Sequence, residues 1–279
     1  MKKNIDKHTV QGFGDEWERF DQSLLDSREQ KKLFDSYFSI FPWEKLPEDA
    51  VGFDMGCGSG RWAQLMAPKV GTLHCIDPST ALAVAQKKLS ESKNCIFHSG
   101  GVGDHVLPEG SMDFGYSLGV LHHVPDTPAG ISECAAMLKP GAPFLLYLYY
   151  AFDGKPLWFR WLWKCSDFAR QIISKFPHGL RFWSTQFIAL SIYWPLARFA
   201  WLTEKMGINA EIVTSIPLSA YRNLSLYTMR TDALDRFGTR LEQRFTKQQI
   251  ARMMESAGLE NIQFSEKVPY WCAVGIKGH

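Results

Sequence analysis

The sequence predicts an α/β fold, a mostly parallel sheet of seven strands with helices on both faces and a helical insertion ahead of the last two strands. Three observations predict it. Between residues 50 and 150, short apolar runs alternate with helix-like stretches, the signature of βαβ units. A glycine-rich turn follows the first of those runs, and the alternation resumes at Thr246 after a long segment of different character.

Val51 to Met55 is the first strand. Arg61 to Ala67 reads as the next helix, stopped by Pro68. Thr72 to Ile76 is a second strand, Ser79 to Leu89 a second helix, and Cys95 to His98 and Met112 to Ser117 the third and fourth strands. Thr127 and Pro128 offer an N-cap with proline at the first helical position, opening a helix to about Leu138 that Lys139-Pro140-Gly141 stops. Ala142 to Tyr149 is apolar enough for burial on both faces. Thr246-Lys247-Gln248-Gln249 has the capping-box form, before a helix running to Ser256 and closed by Gly258. Asn261 to Ser265 and Tyr270 to Ile276 are the final strands, around a turn containing Pro269. The expected division is an N-terminal helical cap at 1–49, a nucleoside-binding core at 50–150, an aromatic-rich helical insertion or lid at 151–244, and the C-terminal part of the core sheet at 245–279.

A hydrophobic content of 46% with 22% charged residues belongs to a folded chain. The net charge of +2 gives no support to nucleic-acid binding. Cys57, Cys75, Cys95, Cys134, Cys165 and Cys272 form no CxxC pair and have no histidine at ligand spacing, so no metal site or disulfide framework is expected and a reducing cytoplasm fits. The amino terminus begins with lysines but has no apolar stretch behind them, so no secretory signal is expected. The longest apolar run, Phe187 to Leu202, is 16 residues and contains Pro195 and Arg198, too short and interrupted for a bilayer span.

The chemistry concentrates at Asp54-Met55-Gly56-Cys57-Gly58-Ser59-Gly60, an acid near a buried strand's end followed by three alternate glycines. Such a turn takes positive φ, lets a ligand approach the backbone, and feeds into a helix whose free N–H groups face that ligand. Nicotinamide and flavin proteins use GxGxxG at the same place, but here Arg61 stands at the third glycine position. The carboxylate of Asp54 would repel a pyrophosphate and suits a ligand carrying an ammonium group. Asp77, at the end of the second strand, stands where a carboxylate accepts hydrogen bonds from ribose hydroxyls.

These residues, with Ile76-Asp77-Pro78-Ser79, Ser111-Met112-Asp113-Phe114 leading into Gly119-Val120-Leu121-His122-His123-Val124, and Met137-Leu138-Lys139-Pro140-Gly141, resemble the class I S-adenosylmethionine-dependent methyltransferases. The GVLHHV and LKPG runs are similar to methyltransferases of quinone biosynthesis. The resemblance covers roughly Val51 to Tyr149 and the closing strands. It implies a Rossmann-like sheet whose last strand is reversed. It also implies that Asp54, Gly56, Cys57, Gly58 and Gly60 hold the methionine part of S-adenosylmethionine, that Asp77, Pro78 and Ser79 hold the ribose, and that Gly101, Val102 and Leu118 line the nucleoside. Many relatives carry an Asp directly after the third strand; this chain reads Ser99-Gly100-Gly101-Val102-Gly103-Asp104, which leaves Asp104 and a backbone amide both as adenine contacts.

Methyl transfer is an in-line displacement, so the protein must align donor and acceptor and, where the acceptor loses a proton, supply a base. His122, just past the fourth strand, is the candidate base or acceptor-positioning group, weighed against a histidine that packs beside the cofactor. Trp17, His123, Tyr221, Arg222 and Tyr227 are candidate acceptor contacts; the segment around Phe13 and Trp17 reads either as a flap over the cofactor or as a surface helix anchored by Phe13, Trp17 and Phe20. Phe152 to Trp201 holds six of the ten tryptophans, and Lys155 to Arg198 carries seven basic residues against the one acid Asp167. That composition suits a small-molecule or lipid-like acceptor, peripheral contact with anionic membrane, or a cap packed on itself. A nicotinamide oxidoreductase and a non-catalytic membrane or partner-binding module are the alternatives.

Overall fold

The computed structural model describes residues 4–152 and 156–279, so Lys2, Lys3 and Lys155 of the readings above lie outside the described residues. The described residues divide into two compact units, 4–22 with 30–152 and 241–279, and 23–29 with 156–240.

The first unit opens with α1 (Lys7–Arg19), capped by the Asp6 carboxylate, which accepts from the Thr9 N–H at 2.8 Å. After α2 (Ser27–Tyr37) the sheet begins: β1 (Val51–Met55), α3 (Ala63–Met66), β2 (Thr72–Asp77), α4 (Ala81–Lys88), β3 (Cys95–Ser99), β4 (Phe114–Leu118), α5 (Thr127–Ala136) and β5 (Pro143–Tyr147). The second unit supplies α6 (Leu157–Ile173), α7 (His178–Ile188), a π-helical turn (Ala189–Tyr193), α8 (Trp194–Lys205), α9 (Ala210–Ser215) and α10 (Leu226–Gly238). The chain then returns to the first unit for α11 (Lys247–Ser256), β6 (Leu259–Phe264) and β7 (Cys272–Lys277).

The strand order is β3-β2-β1-β4-β5-β7-β6, with β7 antiparallel to both its neighbours and the other pairings parallel. The seven-stranded α/β fold with a reversed last strand is therefore observed. Two apolar layers cover the sheet. Phe114 and Tyr116 join Phe34, Phe38 and Trp62 on one face; Phe53, Ile76, Ile131 and Phe144 fill the other. A side chain at Gly52 would run into the Phe114 ring and one at Gly115 into that of Phe53, so the glycines on β1 and β4 make room for the aromatics of the neighbouring strand.

Several boundaries differ from the sequence expectation. The cap of α5 is Asp126, whose carboxylate accepts from the Ala129 N–H at 2.9 Å; the Thr127 hydroxyl instead donates to the Leu121 carbonyl at 2.7 Å, tying the helix to the loop after β4. β4 starts at Phe114, because Asp113 is held by other partners: its carboxylate accepts from the Val51 N–H and pairs with Lys139 at 2.7 Å. β5 ends at Tyr147, beyond which the Tyr149 carbonyl accepts from the Phe245 N–H at 2.9 Å. The capping box at Thr246 and Gln249 is present as expected.

Candidate functional site

The carboxyl ends of β1, β2 and β4 meet at the glycine turn. The N–H groups of Gly56 and Cys57 both donate to the Ile76 carbonyl, 2.8 and 3.0 Å away, which ties the turn to β2. Gly56 and Gly58 have φ of +82° and +52°, a region that costs an L side chain. A Cβ on Gly56 would clash with the Val120 methyls, and one on Gly58 would lie 3.1 Å from the Trp17 indole Nε1. The turn is thus walled by the loop after β4 on one side and by α1 on the other.

Asp54 lies opposite Tyr116 in the β1–β4 register and is buried. Burial pushes its carboxyl up to about 8, with the Tyr116 hydroxyl acting in the other direction, and its Oδ2 has no hydrogen-bond partner among the described residues. Asp77 is better satisfied. Its Oδ2 accepts from the Gly58 N–H at 2.9 Å, and its Oδ1 accepts from the N–H and hydroxyl of Ser79. Burial still raises the Asp77 pKa against those three donors. A carboxylate offers about four lone pairs, so one on Oδ2 remains, and the Ser79 hydroxyl can rotate away to release another.

After β3 the chain turns on itself: the Asp104 carboxylate accepts from the Gly101 N–H at 3.0 Å, and Glu133 accepts from the Gly103 N–H at 2.6 Å. Asp104 therefore shapes the loop that carries Gly101 and the buried Val102. Pro78 lies 3.5 Å and Ile5 3.1 Å from where a Gly101 Cβ would stand, and Leu118 is buried at the end of β4. These positions lie at the carboxyl ends of β1 to β4.

Aromatic rings line these strand ends. The Arg61 guanidinium lies over Trp17 at 5.6 Å and over Trp62 at 4.2 Å. Trp62 contacts Tyr37 at 4.9 Å, Tyr37 contacts Tyr147 edge-on at 5.0 Å, and Tyr147 contacts Tyr149 at 5.9 Å. Tyr149 meets His122 at 3.8 Å, His122 meets His123 at 4.0 Å, and His123 meets Phe13 at 5.0 Å. Phe13 is one turn from Trp17 on α1, so the contacts run as an open collar, from Trp17 through Arg61 and Trp62 to Phe13, beside the ends of β1, β4 and β5. The sequence analysis singled out none of Tyr37, Trp62, Tyr147 and Tyr149 as site residues. The available signal was the i, i+2 pair of tyrosines at the carboxyl end of a buried strand.

His122 is fully buried, and neither ring nitrogen has a hydrogen-bond partner among the described residues. Burial, with His123 and Arg244 nearby, pushes its pKa well below 6.5, so the ring is neutral at physiological pH. The Nδ1 of His123 donates to the Leu241 carbonyl at 2.7 Å, which leaves Nε2 as the basic nitrogen of the neutral ring.

The remaining candidates lie in the second unit. Tyr221 packs on Tyr193 at 5.3 Å, and Arg222 pairs with Glu204 at 2.7 Å while donating to the Ser219 carbonyl. Tyr227 stands in the first turn of α10. Trp17, His122 and His123 fall in the first unit, where the two histidines touch, and Tyr221, Arg222 and Tyr227 fall in the second. Among the described residues no group of three or more histidines, cysteines or acids could hold a metal ion.

Residues 53–146 match the family model described as a methyltransferase domain. The chain is 26% identical over 189 residues to a ubiquinone biosynthesis O-methyltransferase of Xanthomonas axonopodis pv. citri, covering 67% of this chain and 74% of that protein. It is 31% identical over 111 residues to the protein of that name from Methylobacterium nodulans, covering 39% of this chain and 45% of the relative, less than half its length. Among solved structures, an O-methyltransferase family protein from Burkholderia thailandensis shares the fold at a TM-score of 0.54 and 14% identity, over 94% of this chain and 59% of that one. Residues 53–146 are thus a methyltransferase domain, and that match, with the sheet order and the glycine turn, supports a class I S-adenosylmethionine-dependent methyltransferase with S-adenosylmethionine as its cofactor over the nicotinamide and non-catalytic readings.

Proposed function

We propose that the protein methylates a hydroxyl oxygen of a small aromatic or amphiphilic acceptor held within the collar. The observation that carries this reading is the continuous run of ring contacts through Trp62, Tyr37, Tyr147, Tyr149 and the two histidines, with Trp17 joined to it by Arg61, flat faces that suit a planar acceptor. The named activity of the curated relatives, O-methyl transfer in ubiquinone biosynthesis, supports the same class.

The residues present fit the cofactor. The buried, unpartnered Asp54 oxygen, with the Gly56 to Gly60 turn including Cys57, would take the ammonium and carboxylate end. Asp77, with Pro78 and Ser79, would accept the ribose hydroxyls, and Gly101, Val102 and Leu118 would flank the base. S-adenosylmethionine supplies an electrophilic methyl group on a sulfonium that departs as a neutral thioether. His122, neutral and packed on Tyr149, would take the acceptor's hydroxyl proton as its oxygen receives the methyl group. The collar excludes water, which would otherwise compete for the methyl group.

The reading is tested by incubating the protein with methyl-tritiated S-adenosylmethionine and a panel of catechols, hydroxyquinols and aryl amines. Label recovered as an aryl methyl ether is the expected result. Label found only on nitrogen, or tight binding of S-adenosylhomocysteine with none of the hydroxylated aromatics methylated, would remove it.

A further inference from the structure

Two helices of the second unit, α6 and α7, bury polar side chains and turn aromatic ones outward, while α8 and α10 fill the unit's small apolar core. On α7, Arg181, Thr185 and Gln186 are buried, whereas Trp183 and Phe187 are 70% and 71% exposed. On α6, Arg170 is buried while Trp161 is 68% exposed, and Leu157, Phe168 and Ile172 share its outward stripe at helical spacing. The polar interior is satisfied, not accidental. Arg170 donates through Nη1 to the carbonyls of Thr239 and Arg240 at 3.0 and 2.9 Å and through Nε to Asp167 at 2.8 Å. Gln186 Oε1 accepts from Arg230 Nε at 2.6 Å. A helix in water buries its apolar stripe, because that burial is what drives its packing. Here the inward positions are spent on hydrogen-bonded polar groups, and the aromatic stripe needs an apolar partner outside the unit.

We propose that this face lies in the headgroup region of an anionic phospholipid bilayer. Two observations choose a membrane over a protein partner. Between residues 157 and 208 the exposed charged residues are Arg160, Lys164, Lys175 and Lys205, all basic, which matches a negative lipid surface; the acids there, Asp167 and Glu204, are each paired with an arginine. The exposed apolar groups include five tryptophans, Trp158, Trp161, Trp183, Trp194 and Trp201, whose flat rings favour the water–hydrocarbon boundary, alongside leucines and isoleucines that would enter the acyl region. The unit would lie on the membrane and not cross it: α6 has 17 residues, about 25 Å of helix against a core of about 30 Å, and no described helix is long and apolar enough to span. This attachment is independent of the acceptor chemistry.

The test is co-sedimentation of the full chain with vesicles of phosphatidylglycerol and phosphatidylcholine, and with vesicles of phosphatidylcholine alone. The wild type is expected to pellet with the anionic vesicles and to be released by salt. The triple variant Trp161→Ser, Trp183→Ser, Phe187→Ser should lose at least about 100-fold in partitioning. The pair Arg160→Glu, Lys164→Glu should lose at least about 10-fold. Near-UV circular dichroism and titration with S-adenosylhomocysteine check that both variants remain folded with the cofactor site intact. The proposal falls if the wild type stays in the supernatant with both vesicles, or if the triple variant pellets as well as the wild type. It also falls if sedimentation velocity shows a wild-type dimer that the triple variant converts to monomer, since a second copy would then cover the face.

Discussion

The Trp17 indole stands against Gly58: its Nε1 lies 3.1 Å from where a Cβ on that glycine would be, so α1 is fitted closely to the turn after β1 and a side chain there would press the indole outward by a few tenths of an ångström. The same tryptophan is covered by the Arg61 guanidinium, which makes α1, the turn and the collar one packed assembly.

Gly58→Ala is therefore expected to displace Trp17 and to strain a residue at φ +52°, and to weaken S-adenosylhomocysteine binding by about 10-fold or more. Trp17→Ala alone should weaken it less. If the effect is steric, the double variant is milder than the sum of the two, with a coupling of about 0.5 kcal/mol or more. Isothermal titration of the four proteins measures it, and strict additivity would separate Trp17 from the turn.

On the proposed cofactor site, Asp54 would couple folding to cofactor binding through one proton. Its carboxyl is raised to about 8 by burial, so in the cofactor-free protein the folded state keeps a proton that the unfolded chain has released above about pH 4. The folded state binds more protons over that window, so this group's contribution to stability is present below pH 4 and is lost as pH rises through 8. Asp54→Asn should raise the unfolding temperature of the cofactor-free protein at pH 8.5 and leave it nearly unchanged at pH 4.5. The same substitution should weaken S-adenosylmethionine binding at pH 8.5, where the wild-type carboxylate is charged. Thermal melts at the two pH values with a binding titration decide; a variant less stable than wild type at pH 8.5 would contradict the argument.

Asp77 has two tasks that can be separated. Asp77→Ala removes the ribose acceptor and also strands the N–H groups of Gly58 and Ser79, a cost of about 1–3 kcal/mol for a buried unpaired donor. Asp77→Asn keeps one acceptor oxygen and should recover part of the fold stability but little of the affinity. Binding of the nucleoside is expected to drop by about 10–100-fold in the alanine variant. Unchanged affinity there would remove Asp77 from the site.

The glycine turn, both acids and the sheet were legible in the sequence because each is local: a strand end, a turn and a helix start follow one another within a few residues. The collar was not, since Phe13, Tyr37, Trp62, His122 and Tyr147 are contiguous only once five elements have assembled. The α5 cap was misplaced by one residue because Asp126 and Thr127 can both cap a helix, and the choice fell to the Leu121 carbonyl, which takes the threonine hydroxyl. In the insertion, composition revealed the aromatic and basic bias, but periodicity marks only that a helix has two faces. Which face turned inward was decided by partners distant in sequence, Arg230 for Gln186 and the carbonyls of Thr239 and Arg240 for Arg170.

His122 is where base catalysis and packing give opposite results. As a base it loses its function in His122→Phe, which preserves a ring against Tyr149; kcat should fall by about 100–10,000-fold with the S-adenosylhomocysteine affinity unchanged. As a packing residue it would tolerate phenylalanine with little change in kcat, and His122→Ala would be the damaging substitution. The acid side of the pH profile discriminates further. Because burial holds the His122 pKa well below 6.5, the base stays available under mildly acidic conditions, and the acid limb of kcat/KM should lie well below pH 6.5. The same shift makes the unfolded chain bind a proton near pH 6.5 that the folded state refuses, so stability present above 6.5 is lost as pH falls toward the folded-state pKa. His74 and His98, whose ring nitrogens meet at 2.8 Å and whose pKa values burial also lowers, add to that loss. Melting curves of the wild type and His122→Phe should converge at pH 7.5 and separate at pH 5, with the variant the more stable. Equal acid sensitivity in the two would show that His122 takes its proton without penalty and that its ring is not held in the dry setting the base role requires.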